Sequence, residues 1–79
     1  MKLKIHSLKG VLFDGDAKRL TLPTEVGELT ILDEHEPLIA MTKQGVATVE
    51  NKEGKEEFFE VNTGFLEVKE ENEVLVLAD

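Results

Sequence analysis

No window of this chain sustains an apolar stripe at the i, i+3, i+4, i+7 spacing of a helix over three turns, and its apolar residues instead fall in short runs broken by turn-forming residues. Leu3 and Ile5 alternate with Lys2, Lys4 and His6. Val11–Phe13 ends at Asp14-Gly15-Asp16, which reads as a turn, and Leu20 and Leu22 alternate with Arg19 and Thr21 until Pro23, which is expected to stop pairing. Leu29–Leu32 follows Gly27, and Leu38–Met41 follows Pro37. Val46–Val49 joins Phe58–Val61 through Asn51–Lys55, a hairpin in which Gly54 supplies a positive φ. A second hairpin runs from Phe65, Leu66 and Val68 through the charged tip Glu70–Glu73 into Val74–Leu77.

Turn signals recurring every eight to twelve residues or so are the mark of an all-β fold built of antiparallel strands. A half-apolar sheet buries its face only against another, so the expectation is a β-sandwich of about ten short strands, with Leu3, Ile5, Phe13, Leu20, Leu22, Ile31, Val61, Phe65 and Val76 in its core. The 79 residues leave room for one domain with one core. There is no cysteine, so neither disulfides nor thiolate metal sites staple it.

Charge narrows the function. A net charge of -8 repels nucleic-acid phosphates and anionic lipid heads, so neither is an expected partner. The Lys2, Lys4 and Lys9 start is interleaved with apolar residues rather than followed by an apolar stretch, so it is not a signal peptide. No run approaches the roughly 18 apolar residues of a membrane helix, and no direct membrane insertion is expected.

Chemistry-bearing clusters are sparse. The only serine, Ser7, adjoins His6, but neighbours on a regular strand face opposite sides and do not form a nucleophile and base. Asp33-Glu34-His35-Glu36 offers oxygen and imidazole ligands, yet consecutive ligands rarely enclose one ion and no second cluster completes a shell, so a solvated loop is the reading. Ala40-Met41-Thr42-Lys43 is close to the lysine-tipped hairpin of biotin carriers, with Thr42 where the acylated lysine would stand. No glycine-rich strand-to-helix loop cradles phosphate. No catalytic residue, cofactor or metal is therefore expected.

One longer pattern remains. Val11-Leu12-Phe13-Asp14-Gly15, the block from Leu22-Pro23-Thr24 through Gly27-Glu28-Leu29 to His35-Glu36-Pro37-Leu38, Gly45-Val46, Lys55–Phe59, Val61–Val68 and Val74–Asp79 occur in that order along essentially the whole chain. In residues and spacing they resemble the N-terminal β-sandwich of the F-type ATP synthase epsilon subunit.

The resemblance implies a non-catalytic rotor module on the central stalk that grips the gamma subunit with one side and touches the membrane c ring with loops at one end. Carried over residue by residue, Glu28 would meet the c ring, while Ser7, His35, Leu38 and Ala40 would lie toward gamma. The domain would sit peripherally on the cytoplasmic face of a bacterial inner membrane. Thr30, Asp33 and Asn62-Thr63-Gly64 depart from the family's usual glycine, proline and Ser-Gly-Gly. The two helices that follow the sandwich in the family, which brake hydrolysis and in some members bind ATP, have no counterpart in the sequence, so ATP binding is not expected. The alternative reading is a divergent free-standing sandwich that binds another protein or a small molecule.

Overall fold

Alternation of apolar and polar residues at period two is what turns each short run into a strand, because it gives the run one face to bury and one to leave in water. The computed structural model describes all residues, Met1–Asp79, as β1 (Lys2–Ser7), β2 (Gly10–Asp16), β3 (Arg19–Thr24), β4 (Gly27–Leu32), β5 (Leu38–Thr42), β6 (Gly45–Glu50), β7 (Glu56–Val61), β8 (Gly64–Lys69) and β9 (Glu73–Ala78). There is no helix. Nine strands rather than ten suffice.

The strands form two layers. One has the order β2-β1-β9-β8-β5 and the other β4-β3-β6-β7, joined where Thr24 of β3 pairs with Thr42 of β5. At the opposite margin Phe13 of β2 meets Phe59 of β7 edge to face, with ring centroids 6.0 Å apart. The sandwich is thus nearly closed into a barrel. The inward positions of both layers form one cluster of 15 buried apolar residues, including Leu3, Ile5, Leu20, Leu22, Ile31, Leu66 and Val76. Each buried leucine or isoleucine contributes about 1.5–3 kcal/mol, and this burial is the main source of stability in a chain without disulfides.

Both hairpins read from the sequence are present. β6 pairs with β7 from Gly45↔Val61 to Glu50↔Glu56, and Gly54 in its turn has φ +86°. β8 pairs with β9 from Gly64↔Ala78 to Lys69↔Glu73, with Glu71 and Asn72 both in the left-handed region at the tip.

Several expectations are corrected. Asp14-Gly15-Asp16 is not a turn but the second half of β2, paired with Lys4, Leu3 and Lys2. The β1–β9 pair is parallel, because the chain closes its first layer by bringing its last strand beside its first. Pro23 does not end pairing: β3 runs on to Thr24, with Pro23 opposite Glu28 of β4. Its missing N–H is harmless because β3 pairs with β6 over Arg19–Thr21 and with β5 only at Thr24, so Pro23 lies in the gap between the two partners. The Pro23 carbonyl still accepts a bond from the Lys43 amide, 3.1 Å.

Phe13 packs against the core while only half-buried, and Phe65 points outward and is exposed. Leu66, its neighbour, takes the inward place that was expected of Phe65.

Where the two layers meet, the buried hydroxyls are satisfied. Thr24 Oγ1 donates to the Gly27 carbonyl (2.6 Å) and accepts from the Val26 amide (3.3 Å), which shapes the β3–β4 turn. Thr42 Oγ1 donates to the Asn62 carbonyl at 3.0 Å.

Candidate functional site

Register sets the geometry of the surface. The β1–β2, β3–β4, β5–β6 and β7–β8 turns lie at one end of the sandwich, because Ser7, Thr24, Thr42, Gly45, Gly64 and Ala78 are linked by successive pairings or turns at that end. The β2–β3, β4–β5, β6–β7 and β8–β9 connections lie at the other.

The five residues singled out by resemblance do not gather in one patch. Glu28 is at the first end, one residue past Gly27 (φ +108°), exposed and already within β4. Ser7 is at the same end but in the other layer, where its hydroxyl accepts from the Lys9 amide (3.1 Å) and donates to the Gly10 carbonyl (3.3 Å), shaping its own turn. His35 is at the opposite end, half-buried in the β4–β5 loop, with Nδ1 2.8 Å from the Glu36 carbonyl. Leu38 and Ala40 lie on β5 with their side chains packed inward against the core.

The outward positions of β5 are therefore Ile39 and Met41, 73% and 45% exposed. Met41 begins a row that crosses the whole first layer: it stands opposite Phe65, Phe65 opposite Leu77, Leu77 opposite His6, and His6 opposite Val11. Met41, Phe65, Leu77 and Val11 are all exposed. Isolated surface leucines are ordinary, but a row with exposed apolar side chains on four of five adjacent strands, broken by His6 alone, is the kind of surface that marks a candidate contact face. A β-bulge between Ile5 and His6 brings Val11, rather than Leu12, opposite His6. Alternation on each strand foretells these outward side chains one at a time; only the strand order makes them a row, and the sequence reading puts Phe65 on the wrong face.

At the first end, the turn tips carry bare apolar side chains as well, with Leu8 and Val26 87% and 84% exposed. No set of three His, Cys, Asp or Glu residues is placed to hold a metal ion.

At the other end, Asp33 is engaged. Its carboxylate accepts from the N-terminal ammonium of Met1, whose other bond goes to the Ala17 carbonyl (2.8 Å), and from Asn72 Nδ2 at 3.4 Å. Asn72 also accepts from the Glu34 amide at 2.8 Å. The hydrogen bond from the ammonium, chiefly, holds the Asp33 carboxyl below its ordinary value. The acidic loop is thus a structural clasp between β1, the β4–β5 loop and the β8–β9 turn.

Comparison with known proteins agrees with this architecture. A family described as the beta-sandwich domain of the ATP synthase delta/epsilon chain matches residues 1–79. The ATP synthase epsilon chain of a Sulfurovum species is 36% identical over 77 residues, covering 98% of this chain and 60% of that relative. That of a Nitratiruptor species is 39% identical over 70 residues, covering 89% and 54%. The chain thus spans little more than half the length of these relatives.

Among solved structures, a chain of the Euglena gracilis mitochondrial ATP synthase (OSCP/F1/c-ring) superposes with a TM-score of 0.91 at 22% identity, covering 99% of this chain and 49% of that one. A chain of the Tetrahymena thermophila mitochondrial ATP synthase central stalk and c ring gives 0.80 at 15% identity, covering 99% and 62%. At such identities the likeness is one of fold.

Proposed function

The chain belongs to the beta-sandwich domain family of ATP synthase delta/epsilon chains, and from that premise we propose that it is a non-catalytic central-stalk module joining the gamma subunit to the c ring. The observation that carries the reading is the exposed row Met41, Phe65, Leu77 and Val11, with His6 within it. A rotor has to transmit torque through contacts that do not slip, and a wide, rigid, apolar sheet face supplies such a contact better than mobile loops do. The gamma subunit would cover this face. Ser7 and His35 would lie at its two ends, and Leu38 and Ala40 would back it from beneath by holding β5 in place.

The end bearing Glu28, Val26 and Leu8 would meet the c ring. An exposed carboxylate two residues from the exposed Val26, with Leu8 bare at the same end in the other layer, suits a contact whose register is set by charge and whose hold comes from burial. Placement against the c ring would make the domain peripheral on the cytoplasmic side of a bacterial inner membrane.

The test is binding of the chain to purified gamma subunit and to a c-ring preparation. The Met41→Ser/Phe65→Ser double variant should keep the β-sheet circular dichroism of the parent while losing gamma affinity by at least about tenfold, the effect of removing two interface anchors. Failure of the parent chain to bind gamma would overturn the reading.

A further inference from the structure

Strand pairing joins the two layers at one end alone, through Thr24 and Thr42. At the other end the join is made around the nitrogen of Met1, a residue 2% exposed. Met1 and Ala17 exchange two backbone bonds, from the Met1 nitrogen to the Ala17 carbonyl at 2.8 Å and from the Ala17 amide to the Met1 carbonyl at 2.9 Å. One N–H satisfies that ladder, and an ordinary peptide amide has one to give. A second N–H of Met1 goes to the Asp33 carboxylate in the β4–β5 loop. An ammonium can supply it, whereas an amide has neither the second hydrogen nor the charge.

The backbone around this nitrogen is unusual. Glu34, Glu71 and Asn72, at φ 62°, 64° and 60°, are the non-glycine residues with left-handed backbone, and all three lie in the two loops that hold Asp33 in place. Asn72 accepts the Lys2 amide on its carbonyl (2.9 Å) and the Glu34 amide on its Oδ1 (2.8 Å), while its Nδ2 donates to Asp33 at 3.4 Å. A left-handed glutamate is costly and persists where its surroundings fix it. What they fix here is a carboxylate against a nearly buried amine.

We infer that this end of the sandwich is shaped to hold an unsubstituted α-ammonium at Met1, and that the fold thereby reads the acylation state of that nitrogen. The free amine locks the β4–β5 loop and the β8–β9 turn onto β1. An acyl group on it, whether formyl, acetyl or a preceding residue, leaves the single N–H that the Ala17 ladder needs but takes away the bond and the charge that Asp33 meets, and so releases both loops. Asp33 is 45% exposed, so water screens the pair and the lock is a moderate one.

Chemical synthesis of the 79-residue chain with the Met1 nitrogen free, formylated or monomethylated tests this. Formyl and methyl add similar bulk, but the methylated nitrogen keeps its charge and two N–H groups. Urea unfolding should show the folding equilibrium constant of the formyl chain reduced about fivefold, the effect of one charged hydrogen bond partly open to water. The methyl chain should stay within about twofold of the parent, the scatter of a surface change. In an Asp33→Ala background the formyl group should make no difference beyond that same scatter. Amide shifts of Glu34 and Asn72 should move on formylation and hold on methylation. A formyl chain as stable as the parent, a methyl chain that loses as much as the formyl chain, or a formyl loss undiminished in Asp33→Ala overturns the inference. If the formyl chain does not fold, the methyl chain decides: folded, it supports the ammonium, and unfolded, it refutes it.

Discussion

Gly64 and Leu77 approach so closely across the β8–β9 pair that a Cβ on Gly64 would collide with the Leu77 carbonyl oxygen and stand 2.7 Å from the Ala78 Cα. The obstruction is backbone, which cannot swing aside as a side chain does. Gly64 opens the strand that carries Phe65, and Leu77 is the next residue of the exposed row, so this contact sets the spacing between those two side chains.

Gly64→Ala should therefore cost more than about 2 kcal/mol, as overpacking against fixed atoms does. Gly54→Ala is the control: its φ is +86° but no atom lies within 4 Å of the added Cβ, so only the left-handed backbone penalty of about 1 kcal/mol applies. Urea unfolding of both variants measures the difference; equal losses would mean that the close approach relaxes freely.

Acid should loosen the clasp at Asp33. Its carboxyl is held below the ordinary 3.8 by the ammonium of Met1 and by Asn72. Folded, it thus binds fewer protons than unfolded, so its contribution is present above about pH 4 and is lost as pH falls through its lowered folded value. Asp33→Asn should remove this part of the acid limb, giving a shallower decline of stability below about pH 4 than the parent shows. Chemical denaturation at a series of pH values checks it, and an unchanged slope would show that the clasp does not couple to folding.

The all-β class and both hairpins were legible because they rest on local signals: alternation, Gly54 at a positive φ, and the charged tip before Val74. What the sequence did not disclose depends on partners distant in the chain. Pro23 looks like a terminator until β3 is seen passing from β6 to β5, leaving a gap where no N–H is needed. Asp14–Asp16 looks like a turn until β1 is found beside it. Phe65 was misplaced although alternation decides its face: turning it inward would bury Glu67 and Lys69 as well, whereas Leu66 and Val68 inward leave both charges in water. Resemblance pointed to β5 through Leu38 and Ala40, whereas the side chains exposed on that strand are Ile39 and Met41.

Thr30, where the family commonly has glycine, has a local role. Its hydroxyl lies 3.1 Å from that of Thr21 on the neighbouring strand, on the exposed face of the second layer. A double-mutant cycle of Thr21→Val and Thr30→Val should give a coupling of about 0.2–1 kcal/mol, the range of cross-strand pairs. Additive losses within error would mean that the two hydroxyls bond to water instead.

Glu28 should matter for a partner and hardly at all for the domain. It is exposed, and it forms no ion pair or side-chain hydrogen bond within the chain, since the adjoining turn is held by Thr24 rather than by Glu28. Its register partner Pro23 offers no charge and no N–H. Removing its carboxylate thus takes away nothing that folding uses, and Glu28→Ala should change the unfolding free energy by no more than about 0.5 kcal/mol. Binding is the contrary case. Next to exposed Val26, the carboxylate is placed to fix the register of whatever covers this end, and a rim charge acts mainly through association rate and salt dependence. The variant should bind the c ring more weakly than the parent at low salt, with the difference shrinking as salt screens both. Surface-immobilised c ring, with the two chains compared at two salt concentrations, reads this directly. If Glu28→Ala unfolds the domain while its surviving folded fraction binds as the parent does, the carboxylate is structural, and the assignment of this end to the c ring loses its support.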